Sequence, residues 1–342
     1  MHVKASEIAK QLNISKATVS LALNDKPGVS EKTRSEVRRC YEQLYNGESY
    51  DETINKSRIG AHIIYVIIPD YERFSVRNPE LDLGKDVYDA FHQMVKAEGY
   101  ILKISFINMV KKEIDDMVAI CNHDDVAGII LFATELYPKD LKAFKEISHP
   151  MVIYDSDLLC GRYSQVLLNN RQGAKLAVDH FVKNGHSNML YFATTIEIYN
   201  HQERRKGFLD SLLLHNIEAD NSRIIALGNT IDQIYKNTRK YLEKNRMPTA
   251  ILMESYHVSI GVIRALRESG IRIPQEISLI GIDEIPNYMT GKLELTTVKI
   301  PHAERAVWGM VMLFHEINRL IETKSTLLAN CSLISGNSVA LK

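Results

Sequence analysis

Apolar positions in the first stretch of the chain repeat with a helical period. In ASEIAKQL (5–12), Ile8, Ala9 and Leu12 share one face, Asn13-Ile14 interrupt it, and Ser15 is placed to cap a second helix running to about Asn24. Ser30 can cap a third helix, in which Val37, Tyr41 and Leu44 recur at i, i+4 and i+7 and can close a small core over the first two. Residues 1–46 therefore predict a compact three-helix module. The segment GESYDETINKSRIG (47–60) is polar, charged and without an apolar period, and reads as a linker.

From residue 63 the pattern changes. Short, nearly continuous apolar runs occur at 63–69, 100–107, 126–133, 151–156, 188–194, 223–227, 250–255 and 277–283. Helical patterns separate them at 85–98, 171–184, 203–215, 232–245 and 257–269, the last stopped by Gly270. Strands apolar on both faces and alternating with helices belong to parallel sheets covered on both sides. Residues 61–342 thus predict an α/β region of two doubly wound parallel-sheet lobes. Open sheets of this kind bind ligands beyond the carboxyl ends of their strands, which by position alone marks Asp70, Asn169, Asn170, Ser255 and Asp283.

Composition narrows the class. Hydrophobic residues at 45% and charged residues at 25% speak against a disordered, collagenous or coiled-coil chain. No apolar run suits a signal peptide or a membrane span, so a cytoplasmic protein is expected, without membrane contact. Cys40, Cys121, Cys160 and Cys331 are widely spaced and carry no zinc-ligand pattern, which predicts reduced, structural thiols. His180 and His186 have no third ligand nearby in sequence, and there is no nucleophile elbow, phosphate loop, dinucleotide fingerprint or HExxH motif. Neither an enzyme nor a bound cofactor or metal is expected. The net charge is zero, yet residues 1–45 hold eight lysines and arginines against five acidic residues. That excess suits a solvated surface as well as a nucleic-acid patch.

The second helix divides its faces: Val19 and Leu23 point inward, while Lys16, Ala17, Ser20, Leu21 and Asn24 point outward. A groove-reading helix needs that division, with its first residues at base edges and hydroxyls and amides on phosphates. Ser15, Lys16, Ala17 and Leu21 would face bases and Ser20, Asn24, Ser30 and Thr33 phosphates. The pattern alone equally describes an ordinary solvated helix.

The segment ASEIAKQLNISKATVSLALNDKPGVSEKTRSEV closely resembles the DNA-binding headpiece of the lactose/galactose repressor (LacI/GalR) family of bacterial regulators, with its V-S-x-x-T-V-S-x-x-L-N core before a V-S-x-x-T-R helix. LLNNRQGAKLAVDHFVKNGHSNMLYFA resembles the family's D-N-x-x-G…G-H-x-x-I unit. TAILMESYHVSIGVIRALRESGIRIPQEISLIGIDEIP with LTTVKIP resembles its effector lobe and crossover. The resemblance spans nearly the whole chain. It implies a helix-turn-helix headpiece (1–46), a hinge (47–60) and a periplasmic-binding-protein-like core (61–342) in which the chain crosses between lobes near Gly185, Val298 and Leu327. The N-lobe would then hold about 61–185 and 299–326, and the C-lobe about 186–298 and 327–342. It further implies a homodimeric repressor, a pseudo-palindromic double-stranded operator and a small effector, a sugar, bound between the lobes. Carried over by position, the DNA contacts fall on Lys4, Ser15, Lys16, Ala17, Thr18, Ser20, Leu21, Asn24, Ser30 and Thr33, and the effector contacts on Asp70, Asn78, Gln172, Arg204, Ser255, Tyr256 and Asp283.

Three departures stand out. Leu21 occupies a position where most members carry an arginine that reaches base edges. The linker lacks the family's proline and its minor-groove leucine, leaving Ile54 as the aliphatic residue able to act as a wedge. Ser255-Tyr256 replace the family's Asn-Asp pair. A protein that binds its small molecule with weak or lost operator recognition is the rival expectation.

Overall fold

The computed structural model describes residues 3–24, 26–45, 62–71, 84–109, 113–158, 161–320 and 322–342. They fall into two compact units, Met1–Ala61 and His62–Lys342.

The first unit holds helices α1 (Ala5–Gln11), α2 (Lys16–Leu23) and α3 (Glu31–Tyr45). Asn13 takes the left-handed conformation (φ 50°) that Asn tolerates in a tight turn, which redirects the chain from α1 into α2. Ser15 caps α2 by accepting the Thr18 N–H at 3.0 Å, and Ser30 likewise accepts the Thr33 N–H at 3.1 Å. Ile8, Val19, Ala22, Val37 and Cys40 are fully buried, with Leu12, Leu23, Tyr41 and Leu44 packed around them. Arg34 adds a lock. Its guanidinium donates to the carbonyls of Ala22 (3.2 Å) and Lys26 (2.9 Å), satisfying backbone acceptors at the end of α2 and tying α3 to it.

The second unit is built from β1 (Ile63–Asp70), α4 (Lys85–Ala97), β2 (Ile101–Asn108), α5 (Ile114–Cys121), β3 (Val126–Phe132), α6 (Leu141–Phe144), β4 (Met151–Tyr154) and β5 (Ser164–Leu168). There follow α7 (Asn170–Lys183), β6 (Met189–Ala193), α8 (Tyr199–Leu214), β7 (Ile224–Ala226), α9 (Ile231–Lys244), β8 (Ala250–Met253), α10 (Tyr256–Glu268) and β9 (Ser278–Ile282). The last elements are α11 (Asn287–Thr290), β10 (Thr296–Lys299), α12 (His302–Ile317), β11 (Thr326–Ala329) and β12 (Ser332–Ile334). They form two six-stranded sheets, ordered β11-β5-β4-β3-β1-β2 and β12-β10-β9-β8-β6-β7. Every strand pair is parallel except β10–β12. This is the doubly wound, two-lobed α/β architecture, because strands such as β1 and β8 are apolar on both faces and need helices on each side.

The chain changes lobe three times, and two crossings lie away from the expected places. Helix α7 packs Ala174, Ala177, Val178 and Phe181 into the core of the second sheet, so the first crossing is at its start near Asn169 and not near Gly185. β11 pairs with β5 of the first sheet, which moves the third crossing from Leu327 to the short link after Ala329. The second crossing lies just after β10, close to Val298, since α12 returns to the first lobe and packs Leu313 against Gly128. At Gly207 a Cβ would stand 2.6 Å from the Arg171 Cα, which fixes the close approach of α8 to α7. Among the described residues no helix is long and apolar enough to cross a membrane, and Cys40, Cys121 and Cys331 are free and buried. Cys160 lies outside the described residues.

Candidate functional site

On the first unit, Lys16, Ala17, Ser20 and Asn24 are exposed on one face of α2. Leu21 is half-buried and lies beside the Gly28 turn, where a Cβ on that glycine would meet its Cδ1 at 3.6 Å. The hydroxyls of Ser15 and Thr18, and of Ser30 and Thr33, stand 2.8 Å apart in two matching pairs at the starts of α2 and α3. Both helix N-termini therefore combine backbone N–H groups with side-chain hydroxyls, a chemistry that suits phosphate oxygens. Asn24 donates to the Ser20 carbonyl at 2.8 Å. Lys4 is exposed just before α1, its backbone N–H bonded to Glu7 at 3.0 Å. Ile54 lies outside the described residues.

The second unit carries a cavity of about 450 Å³ at the carboxyl ends of the strands, lined from both lobes. Arg204, Ser255, Tyr256 and Asp283 all line it, whereas Asp70 and Gln172 are not among its lining residues. Asp70 ends β1 but does not face the cavity; Ile68, one pleat earlier on the same side of the strand, does. Gln172 is engaged with the third crossing, donating to the Cys331 carbonyl at 3.1 Å and accepting its N–H at 2.8 Å. Asn78 lies outside the described residues.

Arg204, near the start of α8, is buried and oriented by its surroundings. Its Nε donates to Asn170 Oδ1 at 2.9 Å and one Nη to the Glu254 carbonyl at 2.8 Å. Behind it Glu254, just past β8, is fully buried. Its carboxylate accepts the Thr194 N–H (2.8 Å), the Thr194 hydroxyl (2.9 Å) and Arg205 Nε (2.7 Å), and His201 stands 3.4 Å away. Burial alone would raise the Glu254 pKa, but His201, Arg205 and the Thr194 N–H outweigh it and hold the group ionised.

Two aspartates close the cavity from opposite lobes at matching places, Asp155 after β4 and Asp283 after β9, both in the left-handed region (φ 75° and 78°). Each faces a basic side chain of α12. Arg305 pairs with Asp155 and lies over the Tyr154 ring at 4.6 Å, while His302 Nε2 is 3.0 Å from Asp283 Oδ1. Burial would raise both carboxyls, yet both are held low, Asp155 by Arg305 with hydrogen bonds from Thr134 and Asn200, and Asp283 chiefly by His302. The His302–Asp283 and Asn200–Asp155 contacts join side chains of different lobes, so they report on lobe arrangement. Sequence reading did not find His201, Glu254, Asp155, His302 or Arg305. Glu254 sits at a strand's carboxyl end like Asp283, and His302 with Arg305 at i, i+3 share a helix face; those were the available signals.

Burial, helped by His201, pushes the His257 pKa down to about 4 from its ordinary 6.5. The folded state therefore refuses a proton that the unfolded chain accepts, and stability falls as pH drops from 6.5 toward 4, by up to about 3 kcal/mol from this group. His257→Asn is expected to remove that share of the acid sensitivity in urea melts at pH 7.5 and 5; an unchanged difference between the two pH values would refute the assignment.

A small helix-turn-helix unit joined in one chain to a two-lobed core with a cavity at the strand ends defines a DNA-binding regulator with a ligand-binding domain. The chain is similar to bacterial regulatory proteins of the lacI family. Residues 5–45 match the family's DNA-binding domain, and residues 178–339 match a periplasmic binding protein-like domain. The probable HTH-type transcriptional repressor ExuR of Bacillus subtilis is 26% identical, covering 98% of each chain. Among solved structures, the regulator CelR in complex with cellobiose covers 98% of this chain and all of its own, at 18% identity and a TM-score of 0.70. The lac repressor dimer bound to operator and an anti-inducer covers 99% of this chain and all of its own, at 19% identity and a TM-score of 0.69. These structural likenesses establish the fold.

Proposed function

We propose that the protein is a homodimeric transcriptional repressor of the cytoplasm, without catalytic turnover, whose operator affinity is set by a sugar bound between its lobes. Residues 1–46 form the headpiece, 47–60 the connection and 61–342 the effector core. Lys16, Ala17 and Leu21 meet base edges, with Leu21 able to touch a thymine methyl where an arginine would read guanine. Ser15 faces the bases beside them, and Lys4, Thr18, Ser20, Asn24, Ser30 and Thr33 hold phosphates. Arg204, Ser255, Tyr256 and Asp283 contact the effector. The cellobiose bound by CelR and the operator bound by the lac repressor dimer support the two halves of this reading. The observation that carries it is the pairing, in one chain, of two hydroxyl-capped helix N-termini flanking an exposed α2 face with a cavity lined from both lobes. Effector occupancy shifts the balance between lobe arrangements that do and do not let two headpieces engage both half-sites.

The test is to sequence genomic fragments retained by the purified full chain at physiological salt. A pseudo-palindrome beside sugar-uptake or glycoside-degrading genes is expected; no enrichment would favour the rival reading, for which Leu21 is the motivating residue. On the recovered operator, Lys16→Ala is expected to cost about 1–3 kcal/mol of binding and to relax the base preference at the position it reads. Effector affinity should stay unchanged, and a variant that loses effector affinity instead would overturn the placement of Lys16.

A further inference from the structure

The two walls of the inter-lobe cavity differ in chemistry. In the first lobe, Ile68 pairs with Phe106, Phe132 pairs with Tyr154, and Ile67 with Leu131, so Phe106, Ile68, Phe132 and Tyr154 stand in one row across four neighbouring strands. All four line the cavity. Phe132 and Tyr154 have ring centroids 4.4 Å apart, and Phe106 at the edge of the row is 54% exposed. Beside this shelf the Thr134 hydroxyl donates to Asp155 at 2.8 Å and Asp155 is paired with Arg305, whose buried Nε, turned over the Tyr154 ring, is the one donor there without a partner among the described residues. Lys85 and Asp86 flank it at the start of α4.

The facing lobe presents hydrogen-bonding groups with capacity to spare. Among the described residues Ser255 Oγ is buried without a partner and the second Nη of Arg204 has none, its other donors being fixed on Asn170 and Glu254. A ligand that was polar all round would turn hydroxyls onto the aromatic shelf and leave them unsatisfied, and one apolar all round would strand Arg204 and Ser255.

We propose that the effector is a glycoside of an apolar alcohol. Its aglycone lies on the Phe106–Ile68–Phe132 shelf, and its sugar hydroxyls accept from Arg204 and bond Ser255. The inference rests on the sugar-effector reading above and narrows it to amphiphilic glycosides.

Calorimetric titration of the full chain with matched methyl and phenyl glycosides of glucose, galactose and mannose tests it. In whichever hexose series binds, the phenyl glycoside is expected to bind about tenfold tighter than the methyl one, the scale of burying one aromatic ring against others. Phe106→Ser, at a half-exposed position, should bring the two within about threefold by weakening the phenyl glycoside more than the methyl one, and Phe106→Tyr should keep the gap. Equal binding of the two glycosides by the unaltered protein, or a gap that survives Phe106→Ser, overturns the shelf while leaving a sugar effector standing. Failure of every glycoside to bind overturns the sugar reading and this inference with it.

Discussion

Replacing Glu254 by alanine is expected to destabilise the core by about 3–5 kcal/mol, because a fully buried carboxylate holds Arg205, His201 and both donors of Thr194 at once. Arg205 would keep only its contacts to the Thr194 carbonyl and to Glu197, the latter on the exposed side, so its charge would be left largely uncompensated. Glu254→Gln separates charge from packing. It preserves size and one acceptor oxygen, and is expected to lose more than half as much stability as alanine. Urea unfolding of the full chain at pH 7.5 measures both, and a glutamine variant within about 0.5 kcal/mol of the parent would show that the site is held by packing rather than by the ion network.

Arg204→Ala is expected to abolish the effector response, with binding of the effector weakened about 100-fold or more, while operator affinity without effector changes little. The loss combines charge-assisted hydrogen bonds to the ligand with the orientation that Asn170 and the Glu254 carbonyl impose on the guanidinium. Arg204→Lys should recover less than a tenth of the affinity, because an ammonium cannot bond Asn170, the Glu254 carbonyl and a ligand in one plane. Operator titrations of each variant with and without effector give the answer. Parallel loss of DNA binding and effector binding would mean that Arg204 acts through overall stability instead.

Much of the fold was legible because burial on both faces leaves a strong trace. Runs such as IIYVIIP and VAGIILFA are too apolar for surface strands, and the structure places both in the interior of the first sheet, with a strand on each side. β5 escaped because it begins Ser164-Gln165, polar residues that are nonetheless buried: Ser164 donates to Glu316 at 2.6 Å and Gln165 to Thr326 at 3.2 Å. Such satisfaction comes from partners more than 150 residues away and leaves no local pattern. β11 and β12 are short edge strands with alternating exposure, and β12 is antiparallel, so neither carries the continuous apolar signature. At the site, Arg204, Ser255, Tyr256 and Asp283 were reached through family resemblance and strand-end position. Asp155 was not, since its role depends on a left-handed backbone and on Arg305, 150 residues later. Asp70 shares a face with Ile68 but is not in the lining, since strand-end position identifies the right edge of the sheet but not how far along the strand the cavity reaches.

The three lobe crossings have a consequence for synthesis. Neither lobe is an unbroken stretch of chain: the first is completed by α12 and β11, and the second by β12. A ribosome that has released everything up to Pro301 has produced two sheets, each still lacking an edge strand, and a cavity without His302 or Arg305. The lobes therefore cannot mature one after the other in the order of translation. The first lobe is finished by α12 and β11, up to Ala329, and the second only by β12 and the residues after it, where Ser338 bonds Thr296 and Leu279, so a premature stop or a proteolytic cut before Ala329 damages the two halves together, and no single cut in the chain can release either lobe intact.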